Sequence, residues 1–176
     1  MIIRVRLFFY VLCSVLLLGC SLRMPQAETM LSQVRAMVDL ESKSERQVLW
    51  LASFNEVGSV LRPYIVDGYT VFANESGDAV AFDGWVVRSV LGFGSEHALS
   101  IADNGWVRVS RIAQKRFSAT CSEWQKDALD KGFQWRQICG VNGHETVIHI
   151  DETGRIRYIR QAFGGDLGTL TLVLRS

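Results

Sequence analysis

From residue 47 onward the apolar positions fall in short runs and alternations rather than at helical spacing. Gln47 to Phe54 is a continuous apolar run, and its pattern predicts a strand buried on both faces. The segments 69–73, 79–82, 85–90, 98–102 and 106–112 follow, then 133–141, 145–150, 155–161 and 169–174. Each is short and rich in β-branched or aromatic residues. Turn dipeptides separate them: Asp67-Gly68, Asp83-Gly84, Asn104-Gly105 and Asn142-Gly143, with Gly77 and Gly154 marking two more turns. This is the pattern of a mainly β domain, an antiparallel β-meander closing into a barrel or sandwich.

Two helices are expected beside the strands. Between Ala27 and Leu40, Met30, Leu31, Val34, Met37 and Val38 recur at helical spacing, which predicts an N-terminal amphipathic helix packed on the domain. Ser122-Glu123-Trp124-Gln125 fits a capping box and Lys131-Gly132 a helix stop, which predicts one short internal helix. The polar run Glu41 to Arg46 reads as a loop.

The first residues read as an address. Arg4 and Arg6 precede the 12-residue apolar stretch Leu7–Leu18, too short to span a bilayer, which takes roughly 20 residues. It ends in Leu17-Leu18-Gly19-Cys20, followed by Ser21. This resembles the bacterial lipobox, in which a small residue precedes a cysteine whose thiol takes the lipid. Residues 1–19 are then a lipoprotein signal peptide, 20–26 a lipidated tether, and 27–176 a single β-rich periplasmic domain. Lipidation at Cys20, with palmitate-type acyl chains, would hold the domain to a membrane without a spanning helix. Ser21 in place of Asp resembles the sorting signal for the outer membrane, so the expected location is lipid-anchored there, facing the periplasm.

Charge and cysteine content narrow the picture. Lys and Arg number 19 against 18 Asp and Glu, and removal of Arg4 and Arg6 leaves 17 against 18. That balance argues against nucleic acid as a partner, because such binding rests on excess positive charge. Of four cysteines, Cys13 leaves with the signal and Cys20 carries lipid. An exported compartment permits a disulfide between Cys121 and Cys139; the alternative is two buried thiols.

Candidate chemistry is sparse. His97, His144 and His149 read as surface or rim residues, and no metal site is expected. Asp151-Glu152 and Asp78 with Asp83 sit at turns, where Asp stabilises the turn itself. Gly164-Gly165-Asp166-Leu167-Gly168 lacks the P-loop lysine and the dinucleotide spacing, so it reads as a loop between strands. No nucleophile signature is present. The expectation is no enzyme, no catalytic residue and no cofactor.

The aromatic content is more suggestive. Trp50, Trp85, Trp106, Trp124 and Trp135 are many for this length, and Arg88, Arg108 and Arg136 lie near three of them. Indole faces stack on sugars and guanidinium groups bind carboxylates of acidic polymers. Trp85, Arg88, Arg155 and Arg157 are the candidate polysaccharide-binding residues, with Arg155 and Arg157 expected on one strand face opposite Ile156 and Tyr158. Core packing is the competing reading for each tryptophan, and a solvated face for the two arginines.

The order of features resembles a family. The lipobox is followed by Val48-Leu49-Trp50-Leu51-Ala52, then Val80-Ala81-Phe82-Asp83-Gly84-Trp85-Val86-Val87-Arg88-Ser89 and Leu91-Gly92-Phe93-Gly94. Asp151-Glu152-Thr153-Gly154-Arg155 and Arg160-Gln161-Ala162-Phe163-Gly164 come before a final apolar strand. Across roughly residues 46–174 the chain is similar to the YjbF/GfcB lipoproteins of group 4 capsule and exopolysaccharide operons. That resemblance implies a β-rich, lipid-anchored, non-enzymatic accessory protein in polysaccharide secretion, touching polymer or export machinery. A general envelope-assembly or protein-interaction lipoprotein is the alternative.

Overall fold

A computed structural model describes residues 48–175. The expected signal peptide, Cys20, the expected tether and the amphipathic segment 27–40 lie outside the described residues.

Thirteen strands make one antiparallel sheet. The first eight are β1 (Leu49–Phe54), β2 (Val57–Val66), β3 (Tyr69–Ala73), β4 (Ala79–Phe82), β5 (Val87–Gly92), β6 (Ser95–Asp103), β7 (Val107–Ile112) and β8 (Lys115–Thr120). The rest are β9 (Gln125–Leu129), β10 (Gly132–Cys139), β11 (His144–Ile150), β12 (Ile156–Ala162) and β13 (Thr169–Arg175). Their spatial order is β8-β7-β6-β5-β4-β3-β2-β1-β13-β12-β11-β10-β9. The chain is thus two meanders joined where β1 pairs β13, from Leu49 opposite Arg175 to Phe54 opposite Leu170. The sheet curls into a half-barrel, and its concave face holds the core.

Strand β2 is the corner of the curl. Its first half, Val57 to Leu61, pairs with β1, and its second half, Arg62 to Val66, pairs with β3. Pro63 falls in the second half, where β3 is the one registered neighbour, so its missing N–H interrupts no ladder on the other side. At Asp67-Gly68 both residues have positive φ, 49° and 82°, the conformation a two-residue hairpin needs.

Trp50, Leu61, Phe72, Val80, Leu99, Ile148, Ile159 and Leu172 face one another across the curl, each at most 5% exposed. Full burial of such side chains contributes about 1.5–3 kcal/mol apiece, so this cluster is the main source of stability. Trp50 meets Phe72 edge-on at 4.9 Å, and Phe54 meets Phe93 and Phe163 at 6.1 and 5.9 Å.

Three expectations need correction. The internal helix is absent: within the stretch from Cys121 to Cys139 the chain forms β9, a turn at Asp130 and Lys131, and β10. Ser122 does not cap a helix. Its N–H donates to the Ile138 carbonyl at 2.8 Å, and its hydroxyl accepts from the Ile138 N–H at 3.2 Å. The same capping atoms serve a cross-strand contact instead. Second, β1 is buried on one face only, with Trp50, Ala52 and Phe54 inside and Leu51 and Ser53 exposed. Third, Arg155 and Arg157 do not share a regular strand face. The register shifts between His149, opposite Tyr158, and Ile150, opposite Ile156, leaving Arg157 as the extra residue of a bulge. Arg155 lies before β12, and its N–H donates to Asp151 Oδ1 at 3.0 Å.

Candidate functional site

The turn between β4 and β5 is built by one carboxylate. Asp83 Oδ1 accepts from the N–H groups of Trp85 and Val86, at 2.8 and 2.7 Å. Asp83 Oδ2 pairs with Arg88 Nε at 2.5 Å. The turn between β6 and β7 repeats the device: Asp103 accepts from the Gly105 N–H at 2.7 Å and pairs with Arg108 Nε at 2.6 Å. Each Asp–Arg pair is five residues apart and straddles a turn carrying a tryptophan, Trp85 in one and Trp106 in the other. Both indoles are projected outward, 45% and 61% exposed.

Trp85 does not stand alone. Its ring lies 5.2 Å from that of Trp124 and 5.3 Å from that of Trp135, tilted 54° and 72° to them. Phe133 extends the group, 6.5 Å from Trp135. Lys126 Nζ sits 3.9 Å above the Phe133 ring and 5.7 Å from that of Trp135. Trp124 and Trp135 rest against the core, so the wall they offer Trp85 is firmly held. The result is an aromatic ledge with one ammonium group beside it. Its chemistry is apolar stacking plus attraction for an anion.

A buried polar ladder supports this end of the sheet. Arg88 Nη1 donates to the Asp103 carbonyl at 3.1 Å. Arg108, 3% exposed, donates to Thr146 Oγ1 and to Gln137 Oε1, both at 2.6 Å. Gln137 Nε2 then donates to the Ser122 carbonyl at 2.9 Å. Burial pulls the Arg108 guanidinium below its ordinary value, while the hydrogen bond and charge of Asp103 act against that pull. A disulfide joins Cys121, just after β8, to Cys139 at the end of β10. It holds the segment leading to Trp124 against the opposite meander.

The candidate polysaccharide residues are therefore dispersed. Trp85 is at the ledge. Arg88 is engaged by Asp83 and the Asp103 carbonyl. Arg155 lies at the β11–β12 turn, and Arg157 Nε is 3.8 Å from Asp151. Trp124, Trp135 and Lys126 complete the ledge; their separation in sequence hides their proximity, and no local spacing signals it.

Two of the histidines pack on aromatic rings. His149 stacks on Tyr158 at 4.7 Å and meets Gln134 Oε1 at 3.0 Å, and burial holds it below its ordinary value of 6.5. His144 lies edge-on to Phe117 at 5.0 Å. The glycine-rich stretch is the β12–β13 loop, where Leu167 is buried and Asp166 pairs with Lys115. A Cβ on Gly164 would overlap the Phe117 ring, so close packing accounts for glycine at this position.

A separate groove of about 550 Å³ is lined by Val60, Arg62, Tyr64, Asn74 and Asp78 among others. Of its two carboxylates, Glu75 and Asp78, the second is committed internally. Ser59 Oγ donates to Asp78 Oδ2 at 2.6 Å, and the Phe93 N–H donates to Asp78 Oδ1 at 2.7 Å. Burial acts to raise the Asp78 carboxyl, but the hydrogen bonds from Ser59, Phe93 and Asn74 outweigh it and hold the group below the ordinary carboxylate value.

No family model matches the chain, and no curated protein matches it. Among solved structures it is similar to the crystal structure of the hypothetical lipoprotein YmcC from Escherichia coli K12. The TM-score is 0.53 at 12% identity, over 82% of this chain and 94% of that one. The likeness is one of fold.

Proposed function

We propose that this chain is a lipid-anchored, non-enzymatic accessory protein that assists capsule or exopolysaccharide secretion at the outer membrane. The anchored location is supported by the lipobox-like Leu17-Leu18-Gly19-Cys20 and by a fold shared with a protein described as a hypothetical lipoprotein. The polymer reading rests on one observation above the rest: Trp85 is held half open against Trp124 and Trp135 by a turn that Asp83 fixes. A sugar ring offers an apolar C–H face and a polar rim, and an indole held at the surface meets the first without reorganising. Lys126, beside Phe133, supplies a positive charge for an acidic sugar.

Tryptophan fluorescence tests this reading. The chain from Ser21 onward is titrated with polysaccharide purified from the host's own surface. The emission shifts and saturates for the wild type, and the response is lost in Trp85→Ala. The polymer's chain length is unchanged after incubation. No response in the wild type removes polymer binding, and a shortened polymer removes the non-enzymatic reading.

A second reading, a general envelope-assembly lipoprotein, is favoured by a row on the convex face. Leu51 is registered with Val60 on one side and Val173 on the other, and the three are 44%, 45% and 39% exposed. An apolar row of this kind suits a protein partner. A reproducible crosslink from Leu51 to another envelope protein, without a polymer phenotype, would select it.

A further inference from the structure

Strands β3 and β4 are buried on both faces. Phe72, Val80 and Phe82 point into the concave core. Strand alternation turns Val71, Ala73, Ala79 and Ala81 the other way. Those four are nonetheless only 4%, 2%, 8% and 6% exposed, and Val66, on the same face of β2, is 3% exposed. The register brings them together: Val71 is opposite Ala81, and Ala73 opposite Ala79. None of them belongs to the core cluster that fills the curl.

Side chains on the solvated face of a single sheet are open to water unless a second layer covers them. Longer side chains flank the rim of the patch, Tyr64 beside Val71, Arg62 beside Ala73 and Leu91 beside Ala79, but Ala81 has only Val71 and Ser89 next to it, and neither is long enough to cover it. Among the described residues the thirteen strands form one sheet, and no second layer lies over this face. A cover over Ala81 has to be sought beyond these strands. Alanine at three of the five positions leaves room for a backbone to approach closely.

We propose that the amphipathic segment ending at Leu40 is that cover, with Val34, Met37 and Val38 set against Val71, Ala73, Ala79 and Ala81. An amphipathic stripe needs an apolar surface to pack on, and the length of this one suits a patch two strands wide. The connection is feasible. Seven residues, 41–47, reach at most about 25 Å when extended. From β1 to β3 is about 10 Å at the usual strand spacing. The chain before the sheet is then an outer layer of the domain, and the free tether is confined to the residues ahead of it.

Thiol labelling tests the proposal in the full chain. Ala79→Cys is introduced and its reaction is read on its own peptide by mass spectrometry, which separates it from Cys13 and Cys20. With the native stripe the thiol is protected. With Val34→Ser, Met37→Ser and Val38→Ser together, labelling speeds up by at least about tenfold, as expected for loss of local protection. The β-type circular dichroism is retained. Should the triple variant unfold, a second measurement decides: Val38→Cys with Ala81→Cys forms an intramolecular disulfide at a yield independent of protein concentration. Fast labelling beneath the native stripe would overturn the proposal, as would protection that survives the triple change. Protection lost on dilution would assign the face to a second copy instead, and an absent Val38–Ala81 crosslink would also overturn it.

Discussion

The Arg108 guanidinium, on β7, reaches across the curl of the sheet to Gln137 Oε1 on β10 at 2.6 Å. The two residues are 29 positions apart, and both are buried, 3% and 1% exposed. The contact ties one meander to the other across the curl. Its ion-pair partner, Asp103, also shapes the turn that carries Trp106.

Arg108→Met leaves the Asp103 carboxylate buried without its cation, and such a loss costs about 3–5 kcal/mol. Urea unfolding at neutral pH should show a destabilisation of that size. The double variant with Asp103→Asn should lose less than the sum of the two single changes, because the orphaned charge is gone. Additive losses would mean the two side chains act separately.

Reduction of Cys121–Cys139 should lower stability by about 3 kcal/mol, because the bond closes a loop whose ends lie 18 positions apart in sequence. The measurement is the urea midpoint with and without reductant, repeated on Cys121→Ser with Cys139→Ser. The reduced wild type and the double variant should coincide. The bond also positions the segment before Trp124, so the tryptophan emission of the double variant should shift toward that of exposed indole.

Acid sensitivity should trace partly to Asp78. Its carboxyl is held below the ordinary value of 3.8 by Ser59, the Phe93 N–H and Asn74. A depressed carboxylate contributes stability that is fully present above its unfolded value and is lost as pH falls through its folded one. Stability should therefore decline as pH falls through and below the ordinary carboxylate value, and more shallowly in Asp78→Asn. Equal slopes in wild type and variant would remove Asp78 from this account.

The strands most legible in the sequence are those with apolar character. Tyr69–Ala73 and Ala79–Phe82 have the bounds their pattern predicts. Three strands are not legible. Pro63 disguises β2, because proline argues against an interior strand and only a partner switch makes it harmless. The edge strands β8 and β9 carry Lys115, Arg116, Lys126 and Asp127, polar residues that suit an edge open to water and leave no apolar signal. The polar composition of β9, set behind a serine–glutamate pair, mimics a helix start. The bulge at Arg157 breaks a two-residue period that the sequence alone would extend.

The site was legible only at Trp85. Its turn chemistry, Asp83-Gly84, is local and marks an outward residue. Trp124 and Trp135 meet it through tertiary contact, from a segment beyond the disulfide and from a strand of the other meander. No periodicity encodes that meeting. Arg88, close to Trp85 in sequence, is paired with Asp83 across the same turn.

The most direct measurement is polysaccharide output, surface-bound and secreted, in a deletion strain complemented with wild type, Cys20→Ala or Trp85→Ala. Deletion should abolish polymer output, and the wild type should restore it. Both variants should fail to restore it although the Trp85→Ala protein accumulates normally. Unchanged polymer in the deletion strain would contradict the proposed role.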